Sequence, residues 1–254
     1  MTAGTDSPLL AMLRYAEPFA AGSDLASLRR LLAGIQVPVE QKAERLIEAS
    51  YAEALAGRYR TARTAAMMAF ACGARAPRLR EQLAARLRTS NDVALLLELI
   101  DSSGDPRVIP IPLLVAYAAQ LSYVHLQERA LQMLDEAKRG DDRYPPVLLA
   151  RAQVLTYLGR MQEARRDLEQ CIAIAPQIGQ AHWFLAHIGR ATRDDNHVQR
   201  LRGILARPGL PAREVASFAF ALHKELDDLG EHDAAWTALE QACGAKRSLL
   251  KYDV

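Results

Sequence analysis

Apolar residues recur along most of the chain at the three- and four-residue spacing that places them on one face of an α-helix. Two such amphipathic patterns occupy residues 9–19 and 25–35, and further ones follow from residue 43 onward. Ala, Leu, Arg, Glu and Gln dominate these segments, and all five are strong helix formers. Alternating runs of β-branched residues, which would indicate strands, are absent from the sequence. The pattern therefore predicts an all-α protein.

The best-formed unit of this pattern lies at residues 144–177. Two antiparallel helices approach closely only where their facing side chains are small, and glycine permits the tight turn between them. A proline after the second helix prevents its continuation. The unit has these features in the order expected of a helix hairpin of about 34 residues: Ala152, Gly159, Ala164, Leu168, Cys171 and Pro176.

The same register recurs on both sides of this unit. Units begin near residues 43, 76, 111, 145, 179 and 216, which keeps a period of about 34 residues. We therefore predict a right-handed α-solenoid of about six hairpins. Residues 1–42 are expected to form N-terminal capping helices, or a degenerate extra repeat. Residues 43–254 are expected to form the superhelical array, continuous with the cap as a single domain.

Composition and charge exclude several classes of protein. The 254 residues are 50% hydrophobic and 24% charged, and 32 Lys and Arg against 30 Asp and Glu leave a net charge of +2. This balance does not favour an obligate nucleic-acid or anionic-membrane binder. Arg14 and Glu17 interrupt the first apolar run, and no later stretch approaches the roughly 20 apolar residues of a spanning helix. We expect a cytoplasmic protein without a membrane segment.

The sequence lacks a complete catalytic or cofactor-binding motif, including the phosphate loop, the dinucleotide fingerprint, the zinc-protease motif and the nucleophile elbow. His182, His187 and His197 lie near Asp194 and Asp195. However, His182 and His187 are five positions apart, whereas helical metal ligands usually lie three or four apart. We expect surface or groove histidines, with no metal, no cofactor and no enzymatic activity.

The cysteines and one arginine-rich segment are the remaining candidates for chemistry. Three widely spaced cysteines, Cys72, Cys171 and Cys243, indicate reduced thiols, and we expect each to pack against a neighbouring helix. The best nucleic-acid candidate is the segment at residues 75–88. Its charges spread around more than one helical face, so a solvated basic face is the favoured interpretation. The basic residues are Arg75, Arg78, Arg80, Arg86 and Arg88.

These units resemble the tetratricopeptide repeat, most closely at residues 144–177. The run at residues 220–254 is similar to the last repeat of bacterial tetratricopeptide sulfotransferases, in which a repeat array precedes a catalytic domain that uses phosphoadenosine phosphosulfate. The first resemblance implies an interaction fold, and the second implies a region that recruits a protein substrate or self-associates. No catalytic residue is implied, because the sequence has no Gly-x-x-Arg-Ser-Gly-Thr type phosphosulfate loop.

In a stack of such hairpins the first helices line a concave groove. Aromatic side chains mixed with amide, basic and imidazole groups suit the capture of an extended or helical peptide there. Trp183 and Phe220 fit the groove and the interior equally well, because a one-residue shift of phase would turn them inward. The residues predicted to line the groove are Tyr51, Tyr123, Gln153, Tyr157, Trp183, His187, Arg190, Phe220, Lys224 and Asp227.

Two functions from different classes are consistent with these patterns. The first is a non-enzymatic scaffold that binds a protein or peptide segment. The alternative is the non-catalytic N-terminal region of a tetratricopeptide sulfotransferase. A small-molecule pocket in the concave side is a third, weaker hypothesis.

Overall fold

The computed structural model describes residues 8–250. Every element of regular structure in this range is helical, so the all-α prediction is confirmed. No helix within residues 8–250 combines the length and the apolar character that a membrane crossing requires. Contacts divide the chain into two compact units, Met1–Glu136 and Ala137–Val254. The single continuous domain expected from the sequence therefore stays a prediction.

The helices follow one another in pairs joined by short turns. The first unit contains α1 (Pro8–Ala11), α2 (Leu13–Ala21), α3 (Leu25–Ala33), α4 (Val39–Leu55), α5 (Tyr59–Cys72), α6 (Pro77–Thr89), α7 (Val93–Asp101), a 3-10 turn (Pro106–Val108), α8 (Ile111–Tyr123) and the start of α9 (Gln127–Gly140). The second unit contains the end of α9, α10 (Pro145–Tyr157), α11 (Met161–Ile174), α12 (Gly179–His187), α13 (Val198–Leu205), α14 (Ala212–Asp228) and α15 (His232–Ser248).

A single left-handed residue closes each of the first five hairpins. Ser23, Gly57, Asn91, His125 and Gly159 have positive φ angles and follow one another at intervals of 34 residues. The amide after each of them donates to the carbonyl five positions before it, at 2.8 or 2.9 Å. This bond satisfies a carbonyl that the end of the first helix would otherwise leave unpaired. The repeat period is therefore built into the backbone, and the α2–α3 pair has the same turn as the repeats that follow it.

A small buried residue recurs at one position in the first helix of each of these hairpins. Ala16, Ser50, Ala84, Ala118 and Ala152 each stand seven positions before a left-handed turn, and all are at most 1% exposed. A larger side chain there would force the helices apart and cost about 1–3 kcal/mol or more. Ala118 and Ala152 are therefore buried, as the predicted close packing of the two helices requires.

The α12–α13 segment departs from this regular turn. α12 ends at His187, and a loop of residues 188–197 precedes α13. Both helices pack on α14. At the start of α12, a Cβ atom on Gly179 would lie only 2.8 Å from the Ser217 Cβ, so glycine is required for the close approach to α14. The next turn of the hydrogen-bonded type that closes the first five hairpins is at Gly230, where the Glu231 amide donates to the Leu226 carbonyl at 2.9 Å.

A buried carboxylate links α11 to α9 and α10 in the second unit. The Asp167 side chain is 3% exposed, and its two oxygens accept from Lys138 Nζ at 2.5 Å and from Arg151 Nη1 at 2.6 Å. A buried charge is tolerated only when it is paired in this way. The triad therefore fixes the second helix of this hairpin against its neighbours.

Candidate partner-binding surfaces

An aromatic stack lies at the C-terminal half of α12 in the second unit. The rings of Trp183 and His187 are stacked with centroids 4.1 Å apart, and His187 Nδ1 lies 2.7 Å from the Trp183 carbonyl oxygen. Trp183 is half-buried, and His187 is exposed. The stack holds both rings in one orientation, which reduces the entropy that a ligand would cost them.

A cation contacts the loop that follows α12. Lys224 Nζ on α14 donates to the Gly189 carbonyl oxygen at 3.3 Å and forms an ion pair with Asp228. Asp228 also accepts from the Ala191 amide at 2.8 Å. Burial alone would raise the pKa of the Asp228 carboxyl. Hydrogen bonds from Lys224 and Ala191, together with the positive charges of Lys224 and Arg190, lower that pKa below its usual value. Lys224 is therefore positioned by its neighbours and fixes the start of the 188–197 loop.

The other predicted residues of the second unit occupy different surroundings. Tyr157, the last residue of α10, is 65% exposed, while Gln153 one turn earlier is partly buried. Phe220 is partly buried on α14, and the neighbouring Phe218 is fully buried in the core. Asp227 is exposed and lies 3.6 Å from the ring of His232 across the last turn. Their common role in binding stays a prediction.

In the first unit, the two predicted tyrosines each lie beneath an arginine of α6. The guanidinium of Arg86 is 5.6 Å from the ring centre of Tyr51 on α4, and that of Arg88 is 4.6 Å from the ring centre of Tyr123 on α8. The tyrosines are 57% and 64% exposed. Cation–π contacts of this kind contribute about 0.5–1 kcal/mol at exposed sites.

Both arginines also have polar contacts that fix their position. Arg86 Nε donates to Ser50 Oγ at 3.1 Å, and Arg88 Nε donates to Gln120 Oε1 at 2.7 Å. Sequence reasoning gave Arg86 and Arg88 no part in the groove. The signal that could have identified them is the repeat itself, because each arginine lies 35 positions from its tyrosine, one more than the period.

The histidines of the second unit differ from expectation. We expected surface or groove positions, but His182 is only 2% exposed and packs edge-on against Phe218, with ring centroids 5.1 Å apart. Burial, together with the charge of Arg200, lowers the pKa of His182 to about 4. The sequence interpretation was wrong for His182 because α12 turns this residue toward α14.

His197 is held between two carboxylates. Its Nδ1 lies 2.7 Å from Glu225 Oε1, and its Nε2 lies 3.2 Å from Glu169 Oε1. Glu225 is 2% exposed and also accepts from the His197 amide. Residues 8–250 contain no group of three or more His, Cys, Asp or Glu side chains arranged to hold a metal ion. A cavity of about 110 Å³ borders His197 and Glu225, which is small beside the roughly 300–1,000 Å³ of typical ligand pockets.

The three cysteines have three different environments. Cys171 is buried and Cys72 is partly buried, and burial raises the pKa of each thiol to about 11. Cys243 on α15 is exposed, so the packing role expected for it was wrong. The buried small-residue position in that part of α15 belongs to Ala242, one residue earlier.

Comparison with known proteins agrees with the hairpin geometry. Residues 145–178, which comprise α10 and α11, match the tetratricopeptide repeat family. This segment is therefore a tetratricopeptide repeat, as the resemblance of residues 144–177 predicted.

Individual relatives are more distant. An uncharacterized protein of Aquifex aeolicus (strain VF5) is 28% identical over 130 residues, which span 50% of this chain but 17% of that protein. The C-terminal part of a TPR repeat-containing protein from Cytophaga hutchinsonii is 15% identical, with a TM-score of 0.49 over 94% of this chain and all of that one. A thermophilic TPR protein of Thermus thermophilus is 20% identical, with a TM-score of 0.45 over 77% of this chain and 99% of that one.

Proposed function

We propose that this protein is a non-enzymatic scaffold that binds a peptide or protein segment on the first helices of its hairpins. The observation that carries the proposal is the pair of aromatic groups at the ends of α10 and α12, the exposed Tyr157 and the stacked rings of Trp183 and His187. Exposed aromatic residues held in one conformation are typical of binding surfaces, because they offer apolar area at little entropic cost. Tetratricopeptide repeats also commonly present such surfaces.

A substitution set tests this surface. Changing Gln153, Tyr157 and Arg190 together to alanine should abolish partner capture while leaving helicity and melting temperature nearly unchanged. The matched control replaces Arg166, Gln199 and Thr237, which are exposed on the second helices α11, α13 and α15. The proposed binding surface would be rejected if the Gln153, Tyr157 and Arg190 variant still captured the partner. It would also be rejected if the control variant lost capture to the same extent.

Crosslinking gives an independent measurement. A photoreactive amino acid at Tyr157 should label the same partner in cells that the wild-type protein captures in vitro. The same group at Gln199 should not label it. Partner labelling from both positions at equal yield would indicate encounter without a defined surface.

A second proposal is that this chain is the non-catalytic N-terminal region of a tetratricopeptide sulfotransferase, where it recruits substrate or self-associates. It is supported by the similarity of residues 220–254 and by the exposed Trp236 and Cys243 on α15. The reading frame of the gene tests it, since a phosphosulfate loop should follow residue 254. A frame that continues without one would remove this proposal and leave the first intact.

A further inference from the structure

Three of the four arginines of α6 have no acidic partner among the described residues: Arg80, whose guanidinium donates to the Tyr117 hydroxyl and the Leu99 carbonyl, and Arg86 and Arg88. Some arginines of the first unit form ion pairs, as in Arg63–Asp92, Arg129–Asp101 and Arg78–Glu44. Arg86 and Arg88 instead contact neutral groups. Among the described residues of this unit, no carboxylate oxygen lies within ion-pair distance of either guanidinium. Arg86 and Arg88 are thus two positive charges held by neutral groups at the C-terminal end of this helix, each above an exposed tyrosine.

The two charges also act on each other. Burial lowers the pKa of Arg86, the Tyr51 hydroxyl opposes this, and the charge of Arg88 lowers the pKa further. The pair is therefore held against electrostatic repulsion by its stacking and hydrogen bonds. An anion bound nearby would relieve that repulsion, and the partly buried setting would strengthen the attraction relative to open water.

Helix geometry places the two arginines on opposite sides of a strip of the α6 surface, which we call the trough. Residues two positions apart differ by about 200° around the helix axis, so Arg86 extends toward α4 and Arg88 toward α8. Ala85 and Thr89 lie between them, and both have small side chains. The trough therefore has a small-residue floor of Ala85 and Thr89, with an arginine and its tyrosine on each side.

We propose that this trough on α6, defined by Arg86, Arg88, Tyr51 and Tyr123, binds an acidic segment of a partner protein. Carboxylates of such a segment would accept from the guanidinium nitrogens that Ser50 and Gln120 leave unoccupied. The tyrosine rings would contact its aliphatic carbons. The inference rests on the proposed scaffold function and specifies the partner chemistry for the first unit.

A nucleic acid fits these charges less well. Binding to a phosphate backbone needs a continuous basic track, because affinity comes from releasing many counterions. The guanidiniums of Arg86 and Arg88 lie at the C-terminal end of α6. Toward its N-terminal end Glu44 pairs with Arg78, Glu81 adds a second carboxylate, and the Arg80 guanidinium is occupied by the Tyr117 hydroxyl and the Leu99 carbonyl, so the basic track is interrupted. The local field thus suits one or two carboxylates.

Fluorescence anisotropy with a short labelled peptide of alternating glutamate and serine tests the proposal. The full-length protein should bind this peptide at about 0.05 M salt, and binding should weaken at about 0.3 M salt because screening increases. The same peptide with glutamine in place of glutamate should bind at least about tenfold more weakly. Equal binding of the two peptides would overturn the inference.

Protein variants locate the binding. Arg86→Gln with Arg88→Gln should raise the dissociation constant at least about tenfold. Arg193→Gln with Arg213→Gln, exposed residues of the second unit, removes the same charge and should leave it unchanged. An equal loss in both pairs would indicate unspecific attraction and reject the trough. If circular dichroism shows that the double variant is unfolded, the single variants R86Q and R88Q are measured instead. Each single variant should weaken binding about threefold.

Two further outcomes are decisive. A single-stranded oligonucleotide that binds more tightly than the peptide, and loses affinity in R86Q/R88Q, would assign the trough to nucleic acid instead. The wild-type protein could fail to bind the glutamate peptide while Tyr157 still crosslinks to a partner. That combination would reject the acidic-segment inference alone. Loss of both would reject the scaffold proposal as well.

Discussion

Replacing Asp167 with alanine should destabilise the second unit by about 3 kcal/mol. The substitution removes the carboxylate that the Lys138 and Arg151 cations share, while Arg151 keeps Glu163 Oε2 at 3.8 Å from its Nη2. Breaking a buried ion pair from one side costs about 3–5 kcal/mol. The Lys138 side chain is 28% exposed and can turn partly to solvent, whereas Arg151 is 12% exposed and cannot do so as easily. We therefore expect the lower end of that range.

Urea unfolding followed by tryptophan fluorescence measures this loss. The chain has two tryptophans, Trp183 and Trp236, and both lie in the second unit, so the signal reports that unit alone. Asp167→Asn keeps the shape and one accepting oxygen, and we expect a loss of about 1–2 kcal/mol.

The cause of the loss can be separated from its size. If stranded charge is responsible, replacing Asp167 with leucine and both cations with methionine should recover most of the stability, because an apolar replacement of a buried ionic group is often neutral. A loss below about 0.5 kcal/mol in Asp167→Ala would refute the reasoning, as would a triple variant no more stable than the single one.

Three further outcomes are expected. Folding lowers the pKa of His182 from 6.5 to about 4, so the unfolded chain takes up the proton first and the free energy of unfolding falls as pH falls from 6.5 toward 4. Between about pH 7 and pH 5 this loss amounts to about 2 kcal/mol. His182→Phe should remove this part of the pH dependence of the urea midpoint. Gly159→Ala should lower the free energy of unfolding by about 1–2 kcal/mol, measured in urea. His125→Gly should raise it by up to about 1 kcal/mol, measured by thermal circular dichroism. A stabilising Gly159→Ala or a destabilising His125→Gly would show that the left-handed turn is not the cause. A disulfide reagent at neutral pH should modify Cys243 promptly and the other two thiols only on unfolding, since burial raises the pKa of each of those to about 11; three fast thiols would contradict the burial.

The repeat could be predicted because its causes are local. Ala152, Gly159 and Pro176 show in sequence the close helix crossing, the turn and the stop that a hairpin requires. The turns at Asn91 and His125 have the same left-handed backbone without glycine, so composition did not reveal them. Both residues are exposed, and the hydrogen bonds that the following amides donate to Leu87 and Leu121 hold a conformation that Asn and His adopt more readily than most residues.

The surfaces were only partly predictable because they depend on contacts between neighbouring hairpins. Tyr51 and Tyr123 were identified from helix phase, but their arginine partners follow only from stacking one repeat on the next. The inward position of His182 depends on where α12 meets α14, and that helix is one of the shortest in its unit. Predicting from the helical period which side chains face inward is least reliable where the repeat is irregular.

The equal spacing of the left-handed residues has a consequence for how such a chain can change. A gain or loss of one whole hairpin leaves the hydrogen-bonded turns of the other hairpins intact. One residue added inside a helix, in contrast, rotates all later side chains of that helix by about 100°. Gly230 lies 71 positions after Gly159, three more than two periods, and the loop at residues 188–197 accommodates this excess outside any helix. We therefore expect changes in chain length to be tolerated in loops such as residues 188–197 and as whole hairpins, while the number of residues within each helix remains constrained.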